Sequence, residues 1–288
     1  MLLTRAPAKI NLTLHVVRRR PDGFHDLESL VVFGGVSDIL ALDPARPLGL
    51  TVSGPTATAA GEAEGNLVLK ATRALAERVP GLRAGAFHLV KRLPVGAGLG
   101  GGSSDAAAAL RLLARLNGLQ AADERLAEAA RVTGSDVPVC LDPRSRMMAG
   151  TGDRLGRPLM ARPIYAVLAN PGIHVPTPAV FARMGFQPGE SRDLGDHPVP
   201  HDGLSHEGFL ALVAGGRNDM EAAALSLAPG IGDAVDALSA TAGRRVVRMS
   251  GSGSTCFALY DDRRQARAAA RLLSGARPGW WIRATALR

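Results

Sequence analysis

A run of glycines between a strand pattern and a helix pattern constrains this chain more than any other feature. Residues 94–105 read PVGAGLGGGSSD, and five of the seven residues from 96 to 102 are glycine. Glycine backbone can approach a ligand closely, and the first N–H groups of the following Ala/Leu-rich helix have no partner within that helix. Together with the positive end of the helix dipole, they predict a cradle for phosphate. The alternative is a flexible linker with a serine helix cap.

Three common phosphate-binding motifs differ from this segment. Gly96-x-Gly98-x-x-Gly101 matches the dinucleotide fingerprint, but that motif needs a strand ending in an acidic residue about 20 residues further on. Residues 122–130 (ADERLAEAA) predict a helix there instead. A Walker A loop would need Gly-Lys-Ser/Thr, which does not follow the glycines, and the signatures of protein kinases are also missing from the sequence.

The order of strand and helix patterns predicts an α+β fold. Residues 2–40 predict two strands around a Pro-Asp-Gly turn, and residues 135–155 predict loop and short strand. From about residue 160 the pattern is a strand, helices, two strands around a second glycine-rich loop, a helix and a last strand, which is a ferredoxin-like order. Within it, residues 218–243 predict one helix and residues 187–207 a polar loop.

We predict a domain boundary where the pattern restarts. Residues 1–157 form the expected N-terminal domain and residues 158–288 the C-terminal domain.

Composition narrows the class of protein. The 288 residues are 46% hydrophobic and 21% charged, which is enough for a buried core and argues against disorder. The sequence has no run of about 18 apolar residues, so no membrane span is expected, and the first residues lack a secretory pattern. The two cysteines, Cys140 and Cys256, are too far apart for CxxC spacing, which excludes a disulfide framework. We therefore expect a cytoplasmic protein.

The net charge of +8 favours an anionic ligand. Nucleic acid is one candidate, but an RNA-binding module would need clustered arginines with interleaved aromatic residues. The chain has only seven Phe, two Trp and two Tyr, and no such cluster. We expect a small-molecule substrate and neither nucleic acid nor a membrane as a partner.

Lysine is scarce: Lys9, Lys70 and Lys91 are the only lysines among 34 basic residues. A surviving lysine is a candidate for a role that needs a compact ammonium rather than a planar guanidinium. Lys9 lies on a predicted strand, where facing solvent is the alternative. Asp136 lies in a Gly-Ser-Asp-Val-Pro loop, where it could project a carboxylate into a cleft, cap a helix or lie on the surface.

Several segments resemble the GHMP kinases, small-molecule kinases whose glycine loop wraps the phosphates of ATP. Residues 94–105 resemble their central motif, residues 6–12 (APAKINL) their N-terminal motif and residues 250–254 (SGSGS) their C-terminal glycine loop. Further segments resemble the members that act on a cytidylylated methylerythritol. These segments are PDGFH at 21–25, GNL at 65–67, GSDVPV at 134–139, NPG at 170–172, PTP at 176–178 and ND at 218–219. Phe24 departs from the pattern, which often has Tyr there.

The resemblance implies a fold and a reaction. The fold is a two-domain GHMP kinase fold with a ribosomal-S5-like N-terminal domain, a ferredoxin-like C-terminal domain and the active site between them. The reaction is ATP-dependent phosphorylation of the 2-hydroxyl of 4-diphosphocytidyl-2-C-methyl-D-erythritol, in the non-mevalonate route to isoprenoid precursors.

The resemblance also implies roles for individual residues. Lys9 and Asp136 would be catalytic, because a carboxylate can take or orient the hydroxyl proton while an ammonium stabilises the transferring phosphoryl group. Residues that would bind ATP are Asn66, Pro94, Val95, Gly96, Ala97, Gly98, Leu99, Gly100, Gly101, Gly102, Ser103 and Ser104. Residues that would bind the alcohol substrate are Asn11, Phe24, His25 and Thr177.

For Phe24 and His25, the sequence alone leaves two interpretations. The ring could stack on a pyrimidine while the imidazole bonds its edge, or the pair could be a core Phe beside a surface His. Mg²⁺ would arrive with ATP, held mainly by phosphate oxygens, and Ser104 could add a hydroxyl ligand. His197, His201 and His206 do not have the spacing of a metal site.

Overall fold

Two long strands open the chain. β1 (Leu2–Arg19) and β2 (His25–Asp43) flank the predicted Pro-Asp-Gly turn in the computed structural model, which describes residues 1–61, 65–159, 163–192, 195–201 and 203–288. Gly23 has a φ of 89°, a conformation that glycine adopts without strain, and its N–H donates to the Arg20 carbonyl at 3.1 Å. The turn therefore reverses the chain as the sequence predicts.

The chain divides into two compact units, and both long strands contribute to both units. The first unit consists of Met1–Lys9, Val36–Val95 and Gly100–Pro143. The second unit consists of Ile10–Gly35, Gly96–Leu99 and Arg144–Arg288.

The first unit packs helices on a small sheet. Its elements after β2 are β3 (Gly49–Ser53), a 3-10 turn (Ala57–Ala60), α1 (Leu67–Ala76), β4 (Ala86–Val90), α2 (Gly101–Asn117), α3 (Glu124–Thr133) and α4 (Val137–Leu141). β4 pairs parallel to β3 and antiparallel to the end of β2. α2 is central, with Ala106 to Leu110 fully buried, because its Ala/Leu sequence lets neighbouring helices approach on several faces. It ends at Gly118, whose φ is 66°.

The second unit contains a ferredoxin-like sandwich. Its elements after β2 are β5 (Arg146–Gly150), β6 (Arg154–Leu155), β7 (Ile164–Asn170), α5 (Thr177–Met184), α6 (His206–Gly215), α7 (Glu221–Leu227), α8 (Gly230–Ser239), β8 (Arg244–Met249), β9 (Cys256–Tyr260), α9 (Arg263–Ala276) and β10 (Trp281–Leu287). The strand order β10-β7-β9-β8 is antiparallel throughout, which confirms the predicted arrangement.

Three predictions about elements are wrong. Residues 135–155 contain the helix α4 besides β5 and β6, and Pro138 fits within the first turn of α4, where proline needs no N–H partner. The single helix predicted over 218–243 is divided into α7 and α8, because Ala228 before Pro229 leaves the helical conformation (φ −142°, ψ 80°). The helix expected after Asp105 begins at Gly101, so the second half of the glycine motif is helical.

Within the described ranges, no helix is long and apolar enough to cross a membrane. The predicted polar loop over 187–207 has no helix or extended strand before α6, which begins at His206; three of its residues, 193, 194 and 202, lie outside the described part of the chain.

Candidate active site

The start of α2 presents backbone donors in the first unit. Gly100 precedes the helix with a φ of 57°, and its carbonyl accepts the Ser104 N–H at 2.8 Å. The N–H groups before that of Ser104 have no acceptor within the helix. The first turn of α2 carries no acidic residue. The Ser104 hydroxyl is buried and has no hydrogen-bond partner among the described residues. This arrangement has the free backbone donors that the predicted anion cradle requires, and the binding of ATP by residues 94–104 stays a prediction.

Lys9 and Asp136 form an ion pair in the same unit. The Lys9 Nζ lies 2.7 Å from Asp136 Oδ1. Lys9 is only 4% exposed, so the alternative that it faces solvent is wrong. The Asp136 side chain is 34% exposed and does not cap α4, although it occupies the N-cap position. A Cβ on Gly100 would lie 3.2 Å from the Lys9 Cβ, so the glycine motif passes directly along the lysine stem.

A second lysine is buried against two carboxylates. Lys91 Nζ lies 2.6 Å from Asp38 Oδ2 and 2.8 Å from Asp105 Oδ2. Burial raises the pKa of Asp105 to about 8, with Lys91 opposing the rise and Asp38 adding to it. Burial alone would lower the pKa of Lys91, but the carboxylates of Asp105 and Asp38 raise it above its ordinary value. From the sequence, Lys91 could face the adenine end of ATP or simply end a strand, and lysine scarcity is the one signal that singles it out; no signal points to Asp38.

Asn66 caps a helix. Its side-chain oxygen accepts the Val68 N–H at 3.0 Å at the start of α1. Its assignment to ATP binding stays a prediction.

In the second unit, residues 96–99 of the glycine motif pack against residues 250–255. Ser250 Oγ donates to the Gly98 carbonyl at 2.9 Å and accepts the Asn11 N–H at 3.1 Å. The Thr255 N–H donates to the Ala97 carbonyl at 3.1 Å. A Cβ on Gly98 would overlap the Ser250 carbonyl oxygen, so this close approach requires glycine. The two glycine-rich segments found in the sequence therefore touch each other here.

Two of the predicted substrate contacts are polar groups beside this loop. Asn11 is buried, its Nδ2 donates to Ser29 Oγ at 2.7 Å, and its Oδ1 has no partner among the described residues. Thr177 is exposed at the start of α5, with its Oγ1 2.7 Å from the Ser252 Oγ.

Phe24 and His25 lie after the turn between β1 and β2. The Phe24 ring is 58% exposed, whereas His25 packs on Phe181 with ring centroids 4.1 Å apart and planes at 10°. Burial, and secondarily Arg19, lower the pKa of His25 below its ordinary value, which keeps the imidazole neutral near pH 7. The interpretation as a core Phe beside a surface His is therefore wrong. Phe181 was not found from the sequence, where an apolar residue in a short helix is ordinary core.

The three C-terminal histidines do not assemble. His197 Nε2 lies 2.8 Å from Thr13 Oγ1, and its ring packs on His15 with centroids 4.4 Å apart. Among the residues that the structure describes, no group of three or more His, Cys, Asp or Glu is placed to hold a metal ion.

Comparisons with known proteins agree with this geometry. The family model described as GHMP kinases N terminal domain matches residues 66–142, and the one described as GHMP kinases C terminal matches residues 205–276. A 4-diphosphocytidyl-2-C-methyl-D-erythritol kinase of Methylobacterium radiotolerans is 60% identical, covering 100% of this chain and 99% of that protein. One of Xanthobacter autotrophicus is 56% identical with the same coverage. A crystal structure of a 4-(cytidine 5'-diphospho)-2C-methyl-D-erythritol kinase has a TM-score of 0.75 and 35% identity, and covers 99% of each chain.

The two matched family models and the α+β fold identify a small-molecule kinase of the GHMP type, an enzyme that uses ATP. The chain belongs to the 4-diphosphocytidyl-2-C-methyl-D-erythritol kinase family of the GHMP kinases. The predicted fold, with a ribosomal-S5-like N-terminal and a ferredoxin-like C-terminal domain, is confirmed. The boundary between residues 157 and 158 falls between the two matched segments and stays a prediction.

Proposed function

We propose that this enzyme transfers the γ-phosphoryl group of ATP to the 2-hydroxyl of 4-diphosphocytidyl-2-C-methyl-D-erythritol, in the non-mevalonate route to isoprenoid precursors. The name that the relatives carry supports the substrate. The observation that carries the chemistry is the Lys9–Asp136 ion pair beside Gly100 of the phosphate cradle. We also propose a cytoplasmic location, where ATP is available and where the free thiols of Cys140 and Cys256 would persist.

Asp136 is the proton acceptor in this proposal. The substrate oxygen forms a bond to the γ-phosphorus while the bond from that phosphorus to the bridging oxygen of ADP breaks. The hydroxyl proton passes to the Asp136 carboxylate, which is partly exposed and therefore accessible to a substrate. Lys9 holds that carboxylate in place through its ammonium, and the same positive charge stabilises the transferring phosphoryl group.

The glycine motif binds the phosphates of ATP. Backbone N–H groups at the start of α2 donate to phosphate oxygens, and the helix dipole favours the negative charge. The buried, unpartnered hydroxyl of Ser104 fits an oxygen ligand for Mg²⁺, which would otherwise be held by phosphate oxygens and water. Bound there, Mg²⁺ would neutralise phosphate charge.

The cytidine end is assigned to Phe24 and His25. The exposed Phe24 ring offers a face for stacking on a pyrimidine, and the neutral imidazole of His25 has an unpartnered Nε2 among the described residues. Asn11 and Thr177 are the proposed polar contacts to the rest of the substrate.

The test is a coupled assay of ADP release with a panel of alcohols that carry or lack the cytidine group. We expect the highest kcat/KM for 4-diphosphocytidyl-2-C-methyl-D-erythritol, with phosphorus NMR placing the new phosphate on the tertiary 2-oxygen. Equal efficiency with bare methylerythritol phosphate, or a phosphate on another oxygen, would refute the substrate assignment.

A further inference from the structure

Three buried charged residues connect the two ends of the glycine motif. On the entry side, Asp38 Oδ1 accepts the backbone N–H groups of Arg92 at 2.5 Å and Leu93 at 2.9 Å, directly before Pro94. On the exit side, Asp105 belongs to the first turns of α2. Lys91 joins the two sides, because its ammonium donates to both Asp38 Oδ2 and Asp105 Oδ2.

The backbone of Lys91 is itself fixed. Its N–H donates to the Ser53 carbonyl at 2.7 Å, and its own carbonyl accepts the Thr56 N–H at 3.4 Å. Position 54, beside Lys91, requires glycine, since a Cβ there would overlap the Lys91 carbonyl oxygen. The lysine is thus held from β3 before its side chain reaches the carboxylates.

The cluster of Asp38, Lys91 and Asp105 is not an efficient way to stabilise the fold. One ammonium faces two buried carboxyl groups, and Asp105 Oδ1 has no hydrogen-bond partner within the described residues. Burying ionisable groups carries a desolvation penalty that opposite charges barely offset, and an unpartnered buried oxygen adds to it. Replacing such buried groups by well-packed hydrophobic residues is often neutral or stabilising, so stability alone does not account for the cluster.

Its location supplies that explanation. A Cβ on Gly101 would lie 3.5 Å from Lys91 Nζ and 3.8 Å from Asp38 Oδ2, so the cluster lies directly behind the first residue of α2. A glycine-rich loop is flexible, and ordering it when a ligand binds reduces affinity. Fixing both ends beforehand removes part of that cost.

We propose that Asp38, Lys91 and Asp105 are positioning residues that fix the ends of the phosphate loop before ATP binds; we call them the loop clamp. The proposal rests on the proposed function only in placing ATP at the glycine motif. The three residues are buried, so in this proposal they act through the loop, on affinity for ATP rather than on the chemical step.

Asp105→Ala tests the clamp because it removes one tie and leaves Lys91 paired with Asp38 alone. The variant also loses an unpartnered buried oxygen, so its melting temperature should equal or exceed that of the parent. The dissociation constant of a nonhydrolysable ATP analogue, measured by calorimetry, should rise about tenfold, the usual scale for losing a hydrogen bond to a charged group. The KM for ATP should rise equally, with kcat at saturating ATP within about threefold.

Two further variants complete the experiment. Asp105→Asn keeps an oxygen that accepts from Lys91 and should restore most of the affinity. Lys70→Met is the control, because Lys70 is an exposed lysine of the same unit whose ammonium donates to the Thr133 carbonyl at 3.0 Å. It should leave the affinity unchanged.

The clamp is overturned if folded Asp105→Ala binds the analogue as tightly as the parent, or if Asp105→Asn binds as weakly as Asp105→Ala. Should Asp105→Ala not fold, Asp105→Ser, which is too short to reach Lys91, is judged by the same limits. Because the analogue is bound without any alcohol, a failure of the proposed substrate would leave this result intact.

Discussion

Asp105 is a buried carboxyl group whose pKa is raised far above its ordinary value. Burial raises its pKa to about 8, and Asp38 adds to the rise while Lys91 opposes it. Neither Lys91 nor Cys140 changes its charge near pH 8, because the pKa of Lys91 is raised above its ordinary value and burial raises the pKa of Cys140 to about 12. Ionisation of Asp105 therefore adds one negative charge to the loop clamp.

We predict that ATP affinity falls as the pH rises through about 8. The added negative charge lies behind the phosphate cradle and repels an anion, and the terminal phosphate of ATP is already ionised because its second pKa is near ~6. Calorimetry with the ATP analogue from pH 7 to pH 9 measures the effect. Asp105→Asn carries no titrating group there, so its affinity should stay flat; a parallel decline in that variant would assign the pH dependence to another residue.

The same proton affects stability with a definite sign. The folded-state pKa of Asp105 lies above the ordinary value of 3.8, so the folded protein binds the proton more tightly than the unfolded chain. The contribution of this group to the free energy of unfolding is full below pH 4 and is lost as the pH rises through the folded-state pKa. Asp105→Asn should therefore gain stability relative to the parent as the pH rises towards 8, as urea unfolding at several pH values would reveal.

Lys9 and Asp136 should act as one catalytic unit. Asp136→Asn removes the proton acceptor and Lys9→Ala removes the charge that holds it, so each should lower kcat by about a hundredfold or more. Because the two groups act on the same step, the double variant should lose less than the product of the single losses. Single-turnover rates, with melting temperatures as the folding control, provide the measurement. A kcat within a few-fold of the parent in Asp136→Asn would remove the base assignment.

At the scale of elements, the sequence predicts the order of strands and helices well but not where the helices begin and end. Ala/Leu periodicity locates α2 but not its first five residues, 101–105. These residues begin with two glycines, which are disfavoured in a helix. Pro229 moves the preceding Ala228 out of the helical conformation, and this local effect divides the single predicted helix into α7 and α8. The helix α4 is too short for a periodic pattern to reveal.

The close approach of the two glycine-rich segments predicts which glycine cannot be replaced. Gly98 has a φ of 73° and faces the Ser250 carbonyl, whereas Gly118 has a φ of 66° with open space around it. Gly118→Ala should cost about 1–2 kcal/mol of the free energy of unfolding through its backbone conformation alone. Gly98→Ala should cost about 1–3 kcal/mol more through overlap, and should also weaken binding of the ATP analogue.

Urea unfolding of both alanine variants separates the two effects, since they share the backbone strain and differ in the neighbouring oxygen. Equal losses for Gly98→Ala and Gly118→Ala would mean that the segment moves aside at no cost and that the contact with Ser250 does not shape the loop.

At the scale of the whole molecule, the sequence named residues but could not place them. Lys9 and Asp136 were selected far apart in the chain, and only the fold brings their charges to 2.7 Å. The loop clamp was missed because its ion pairs join a strand, a strand end and a helix, and no local pattern encodes such contacts. The stacking of Phe181 on His25 was missed for the same reason: it depends on the tertiary packing of α5.

Phe24 and His25 should distinguish the cytidine group from ATP. Phe24 is 58% exposed, so Phe24→Ala should leave the melting temperature unchanged while weakening substrate binding by about 1–3 kcal/mol, the usual scale of stacking between a base and an aromatic ring. Phe24→Tyr keeps the ring face and should be nearly neutral. His25→Ala should raise the KM for the cytidylylated substrate as well, because an edge contact to the base is lost.

Phe24→Ala and His25→Ala should not affect the affinity for the ATP analogue, whose phosphates are assigned to the glycine motif. Leu272→Ala is the control for losing an exposed apolar side chain, since Leu272 is 66% exposed on α9. The measured quantity is the ratio of kcat/KM for the cytidylylated substrate to that for bare methylerythritol phosphate. Stacking contributes only when the base is present, so the ratio should fall in Phe24→Ala and His25→Ala and stay constant in Leu272→Ala. An unchanged ratio in Phe24→Ala and His25→Ala would mean that these two residues do not contact the base and belong to an ordinary turn.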